Sequence, residues 1–470
     1  MGKRMKTVRG IWLMMIILSL VLYCEKKHGT GRELQDFSQE KIIPAPVWAN
    51  QGVIYQVFPR VFTHEGDFKA LQQKLDYIQR LGVGIIWLMP IYPIGEEGRK
   101  GTIGSPFSIK NFRKINFDYG TKEDFQNLVN EIHQRNMKMI IGMVPNHSSN
   151  DNNLMKDHPG WFMQDSLGNF AREVDDWSDI TDFNYENPEM RQYMKETLIY
   201  WVKEFDVDGF RCDVAGMVPF DFWNESLKSL REVKSDIFLL AEWEDPELLM
   251  QGFNSDYDWT LYHLLKDIRD GKKKTAGAIS LIQEKDSSYP KNSLPMRFLE
   301  NHDEQRSLHT FGRDGIESYA TFIFTVPGIP LIYAGQEIGE EVKPSLFEKS
   351  ELVWTKADSS LYRMYKNLIR LRKDYSCFTG GVFRPLQTKT SKGSVGAFIR
   401  EDNETVALVI CNLNSDMAEK VLININGELI DRLKGIQLKN YQNSEDRITL
   451  TNITFDQIMP FNTLVYVGEQ

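Results

Sequence analysis

Three carboxylates stand at the ends of apolar runs in the middle of this chain, at regular intervals. Gly209-Phe210-Arg211-Cys212-Asp213 follows Phe205 and Val207 and delivers an arginine and an aspartate together. Arg211 and Asp213 are two residues apart, so on a strand they share one face. A cation beside a carboxylate keeps it ionised, which a nucleophile requires. Phe238-Leu239-Leu240-Ala241-Glu242 presents the next acid 29 residues later, and the run from Arg297 presents Asp303 after a further 61. One strand-plus-helix unit takes roughly 30 residues. The intervals therefore fit one unit and two units of a repeating architecture, with acids at the same end each time. Such a trio suits cleavage of a glycosidic bond. One acid protonates the leaving oxygen while another attacks, or stabilises, an oxocarbenium-like centre. A third acid in the pocket discourages ionisation of all three and raises the pKa of at least one, as a general acid needs.

The elements that must position these acids are legible around them. Val53 to Val57 is a buried strand closed by Pro59, and Asp67 to Leu81 a helix with Phe68, Leu71, Leu75 and Ile78 on one stripe and Gly82 as its stop. Ile85 to Met89 is the next strand. Thr121 caps a helix with Phe125, Leu128, Val129 and Ile132 on its apolar face, and Met139 to Val144 runs into Asn146 and His147. A helix after Pro188, the 209–213 strand, a helix over Phe220 to Val233 and the strand ending at Glu242 continue the alternation. A weaker unit around Asp256 to Ile268, the strand ending at Asp303, a helix from about Ser318 and Leu331 to Tyr333 complete it. Fully apolar strands between amphipathic helices mean a parallel sheet covered on both faces, and eight such units predict a closed (β/α)8 TIM barrel. Active sites of such barrels lie at the C-terminal ends of the strands. The polar residues there are Asn146, His147, Arg211, Asp213, Glu242, His302 and Asp303.

The expected domains are a signal peptide over 1–23, a tether over 24–45, a barrel over 46–378 and a C-terminal β domain over 379–470. Within the barrel, residues 148–184 form an insertion after the third strand, too long and too weakly periodic for a plain connection. Its Trp161 and Trp177 either pin the excursion to the barrel or touch substrate. Past Thr379, short alternating strands with turn signals at Asp402-Asn403 and Asn426-Gly427 predict an antiparallel β-sandwich. The leader has a basic segment (Lys3, Arg4, Lys6, Arg9) and an apolar run from Ile11 to Tyr23, too short to span a bilayer comfortably. Cys24 at its end resembles a lipoprotein acylation site. We expect an exported, periplasmic or cell-surface monomer whose only membrane contact is a lipid on Cys24.

A formal charge of −9 argues against nucleic acid or an anionic membrane surface as partner. Cys24, Cys212, Cys377 and Cys411 have no metal spacing, so neither zinc nor a dense disulfide framework is indicated. No G-x-G-x-x-G opens a helix after the first strand, which weakens a dinucleotide-binding reading.

Pro145-Asn146-His147, Gly209 to Asp213, Ala241 to Pro246 and Glu300-Asn301-His302-Asp303 resemble, in order, the four signature segments of the α-amylase family of glycoside hydrolases. The resemblance spans roughly residues 47–470. It implies that Asp213 is the nucleophile, Glu242 the general acid/base and Asp303 the transition-state stabiliser. Asn146, His147, Arg211 and His302 would line the same sugar site, with Phe107 where a tyrosine commonly stacks on the sugar. Trp243 is a further candidate contact, although its side chain leaves the strand on the side opposite Glu242. The implied activity is retaining cleavage of α-glucosidic bonds in starch-type glucans or maltooligosaccharides, with no cofactor. The family usually has an aspartate at Gly142, and a Lys-His pair where Gly216-Met217 stands. That histidine's carbonyl helps bind the family's structural calcium, so calcium is possible but doubtful. The alternatives are an α-glucan transglycosylase, a trehalose-forming enzyme of the same family, and a non-catalytic glucan-binding relative.

Overall fold

The computed structural model describes residues 36–470 apart from Lys434 and Asn452; the leader and Cys24 lie outside them. The chain lays down β1 (Ile54–Val57), β2 (Ile85–Leu88) and β3 (Lys138–Met143), then a two-stranded antiparallel ribbon of β4 (His147–Ser149) and β5 (Ile180–Asp182). There follow β6 (Gly209–Cys212), β7 (Phe238–Ala241), β8 (Ser255–Asp256), β9 (Met296–Arg297) and β10 (Ile329–Tyr333). Eight of these pair in parallel in the order β8-β7-β6-β3-β2-β1-β10-β9, and a parallel bridge between Tyr257 and Met296 closes the cylinder. This is the (β/α)8 barrel expected from the alternation.

Every strand residue from β1, β2, β6, β7 and β10 is buried. Each large aliphatic side chain removed from water there contributes about 1.5–3 kcal/mol. The local signals act as read: Thr121 and Asp124 form a reciprocal capping box, and Gly82 ends its helix at φ 103°. A β-carbon at Gly209 would come 2.0 Å from the Phe238 carbonyl oxygen, so only glycine lets β6 begin against β7.

Four expectations change. The helix expected over 67–81 is two, Phe68–Gln73 and Leu75–Leu81, because Lys74 departs from helical geometry at ψ −3°. The helix expected from Ser318 begins just after Gly312, whose φ 70° and ψ 161° separate it from a short helix starting at Ser307. Residues 36–45 do not hang free. The Phe37 amide donates to the Ser288 carbonyl at 2.8 Å, and Asn254 Nδ2 donates to the carbonyls of Ile43 and Pro44 at 3.2 Å. Asn426-Gly427 is no hairpin turn, since the Asn426 side chain caps the short helix Gly427–Arg432.

The C-terminal region forms β11 (Val382–Lys389), β12 (Gly396–Glu401), β13 (Thr405–Asn412), β14 (Ala418–Asn424), β15 (Gln437–Asn440), β16 (Arg447–Thr449), β17 (Ile453–Ile458) and β18 (Asn462–Glu469). All pairings are antiparallel, in the order β16-β15-β18-β13-β12-β11-β14-β17. β11 spans two leaves: Val382 to Leu386 pair with β12, and Gln387 to Lys389 with β14. Ile399, Leu408 and Ile410 on one leaf share a core with Val421, Ile423 and Ile458 on the other. Asn414 locks this domain to the barrel. Its Oδ1 accepts from Thr275 N (3.0 Å) and Thr275 Oγ1 (2.9 Å), while Nδ2 donates to the Lys273 carbonyl at 2.9 Å.

Candidate active site

Arg211 is the hub on which the site is built. It is fully buried on β6, and its Nη1 lies 2.6 Å from Asp213 Oδ1. Its Nη2 contacts Glu242 Oε1, and Nε donates to the Tyr257 hydroxyl at 3.1 Å. Three adjacent strands, β6, β7 and β8, thus send a side chain each to one guanidinium, whose planar fork suits two carboxylates at once. Its Cζ stands 5.3 Å from the Trp87 ring centre and 5.6 Å from that of Phe107. Gly142 pairs with Arg211 across β3–β6, and a β-carbon there would meet Pro90 Cδ at 2.8 Å. The proline ring takes the space that the family's aspartate would need.

Glu242 leaves β7 with its backbone amide still bonded to the Cys212 carbonyl at 2.9 Å. Its Oε2 accepts from Val214 N at 2.8 Å. Val214, the residue after Asp213, holds φ 36°, ψ 49°. This left-handed conformation costs a β-branched residue about 1–2 kcal/mol, and it turns the amide toward Glu242. Burial pushes the Glu242 carboxyl well above the usual carboxylate range; Arg211 opposes this, while Asp213 and Asp303 push the same way. A proton held on Glu242 is what a general acid requires.

Asp303 and His302 arrive from beyond β9. Ligand atoms of Glu242, His302 and Asp303 all lie within 4.8 Å of one another. His302 Nε2 stands 3.2 Å from Asp303 Oδ2, and His302 Nδ1 lies 2.8 Å from Gln56 Nε2 on β1. Gln56 Nε2 donates to Nδ1, which places the proton of the neutral imidazole on Nε2, the nitrogen nearer Asp303. Burial drives the His302 pKa down to about 4 against the pull of Asp303. Phe107 stacks on the imidazole at 5.3 Å with planes 22° apart. The Asp303 side chain is 36% exposed against 9% for Asp213, so Asp303 faces the entrance. Behind it, Lys343 Nζ donates to the Asp303 main-chain carbonyl.

Asn146 and His147 sit at the base of the excursion. Asn146 Nδ2 donates to Asp182 Oδ1 at 3.3 Å, and the His147 ring lies 5.4 Å from that of Trp177. Trp161 pins the excursion: its ring stacks on His158 at 4.0 Å and its Nε1 donates to Glu189. Trp243 turns away from the acids and lies over Gly216, where a β-carbon would come 2.3 Å from its indole. Sequence reading missed Gln56, Tyr257 and Lys343. Gln56 carried a signal, as the lone polar residue of an apolar strand; Tyr257 sat in the weakest unit, and Lys343 in an unpatterned loop.

Bearing on the doubtful calcium, three carboxylates of the excursion already have protein partners. Asp182 accepts from Asn146 and from Glu173 N (2.7 Å), Lys110 Nζ lies 2.9 Å from Asp151, and Lys100 Nζ lies 3.3 Å from Asp179.

A parallel barrel with three converging acids at its C-terminal mouth and an arginine bridging two of them defines a barrel glycoside hydrolase. Comparison with known proteins agrees. The family model "Alpha amylase, catalytic domain" matches residues 49–352, and the chain belongs to the α-amylase family. It is 29% identical over 389 residues to the α-amylase MalA of Haloarcula japonica, covering 79% of this chain and 57% of that one. It is 25% identical over 443 residues to a cyclomaltodextrinase of a Bacillus species, covering 82% of this chain and 76% of the other. Among solved structures, a noncanonic maltogenic α-amylase, AmyB, of Thermotoga neapolitana superposes with a TM-score of 0.81 at 32% identity, covering 90% and 99% of the two chains. An α-amylase of Lactobacillus plantarum gives 0.78 at 31%, covering 89% and 99%.

Proposed function

We propose that this protein cleaves α-glucosidic bonds in starch-type glucans or maltooligosaccharides by a retaining, two-step mechanism. The observation that carries the reading is the convergence of Asp213, Glu242 and Asp303 around Arg211 and His302, with Glu242 favoured in its protonated form. In the first step an Asp213 oxygen bonds to the anomeric carbon as the glycosidic C–O bond breaks, and the Glu242 proton passes to the leaving oxygen. In the second, the Glu242 carboxylate takes a proton from water, whose oxygen displaces Asp213. Asp303, beside His302, accepts from hydroxyls of the distorted sugar, and Phe107 packs on its apolar face. The relatives' names, an α-amylase, a maltogenic α-amylase and a cyclomaltodextrinase, support α-glucans as the substrate class.

Proton NMR of the first product formed from maltoheptaose tests the mechanism. An initial α-anomer is expected. An initial β-anomer, or product from Asp213→Asn at the wild-type rate, overturns it. We also propose export with a lipid on Cys24, supported by the basic and apolar leader. Labelled palmitate should then enter the protein in cells and be lost in Cys24→Ala.

A further inference from the structure

The loops across the barrel from the acid are fastened together, and the fastening bears on where along a chain the enzyme can cut. In the closed strand order, β1 lies four strands from β7 in either direction, so it stands diametrically opposite the strand that carries Glu242. Over β1, the segment after β2 is tied to the segment after β10. Ile103 N donates to the Phe347 carbonyl at 3.0 Å, and Thr102 Oγ1 and N donate to the Glu348 carboxylate at 2.5 and 3.3 Å. Arg60, on the helix that follows β1, donates to the carbonyls of both Gly104 (3.1 Å) and Leu346. Gly101 allows the approach, since at its φ of +67° a β-carbon would lie 2.6 Å from the Phe347 oxygen.

This clasp is continuous with the site on its inner side and with the excursion on its outer side. Inward, Lys343 of the β10 segment holds the Asp303 carbonyl, and Phe107 of the β2 segment stacks on His302. Outward, Lys100 Nζ donates to the Asp176 carbonyl at 2.7 Å, and Glu96 N donates to Asp151 at 3.0 Å. A wall therefore runs from the excursion through residues 95–108 to residues 342–352.

The direction of the substrate follows from the chemistry. The general acid must stand beside the leaving oxygen, so the leaving part of the glucan extends over the β7 side. The non-reducing part extends the other way, toward β1 and the clasp. We propose, resting on the hydrolase reading above, that the clasp closes the cleft behind a short non-reducing end. The enzyme then takes glucans by their chain ends and releases short saccharides; it does not cut inside chains. Fastened loops reject a longer donor segment by steric exclusion, a discrimination made by clash and not by added contacts.

Two aryl α-maltoheptaosides test this, one with a free non-reducing glucose and one with that glucose blocked as a 4,6-acetal, with products read by chromatography. The free substrate should be cleaved and the blocked one at least about tenfold more slowly. The double variant Thr102→Ala/Glu348→Ala, remote from the acids, should narrow that ratio while retaining the rate on the free substrate; Thr102→Ser should leave the ratio as it was. Equal wild-type rates on both substrates overturn the chain-end proposal and leave the hydrolase reading standing. Cleavage of neither overturns the hydrolase reading itself. Should the double variant fail to fold, the wild-type comparison decides alone.

Discussion

Arg211 Nη1 lies 2.6 Å from Asp213 Oδ1, and because the same guanidinium also touches Glu242, one side chain holds the proposed nucleophile and the proposed acid. Arg211→Lys keeps the charge but loses the planar fork. A misplacement near 1 Å costs about 10²-fold, and kcat for maltoheptaose should fall by that order with KM little changed. Arg211→Ala leaves buried carboxylates unpaired and should destabilise by about 3–5 kcal/mol in urea unfolding.

Glu242→Gln removes the proton donor while preserving shape. On maltoheptaose, kcat should drop about 10²–10⁴-fold. On an aryl α-maltoside whose leaving phenol needs no protonation, the loss should be far smaller for the first step. Equal losses on both substrates would remove Glu242 from the acid role.

Gln56 and His302 make the site sensitive to acid. The His302 pKa is depressed to about 4 in the fold, against about 6.5 in the unfolded chain. The stabilisation is therefore fully present above about pH 6.5 and is lost as pH falls through about 4. An NMR titration should find the imidazole neutral at pH 6. Gln56→Glu places an anion on Nδ1, should raise the His302 pKa, and should move the acid limb of kcat upward.

Gly142 has no room for the aspartate usual in the family. Gly142→Asp should cost about 1–3 kcal/mol by overpacking against Pro90, read as a lower urea midpoint at unchanged slope. Gly142→Asp/Pro90→Ala should recover part of it.

The engaged carboxylates of the excursion predict indifference to chelation. With Lys110 on Asp151 and Lys100 on Asp179, prolonged EDTA treatment should leave both Tm and the rate on maltoheptaose unchanged. A fall in either, restored by added calcium, would reverse this reading.

The sequence by itself determined the eight repeating units, Asp213 and Glu242 directly after their strands and the β domain that follows, while Asp303, expected at a strand end, lies six residues beyond β9. Those features rest on local periodicity, since each apolar run or amphipathic stripe demands the same cover wherever it sits. Signature segments singled out Asp213, Glu242 and Asp303 as candidates without any geometry. The break at Lys74 escaped because an apolar stripe persists across a kink, and Asn426-Gly427 because the same pair serves a turn or a cap. Only the tertiary structure decided what surrounds the acids. Gln56 meets His302 across 246 residues, and Thr102 meets Glu348 across another 246. Such pairings depend on barrel closure and on excluded volume, as where Pro90 fills the space beside Gly142, and no local pattern encodes either.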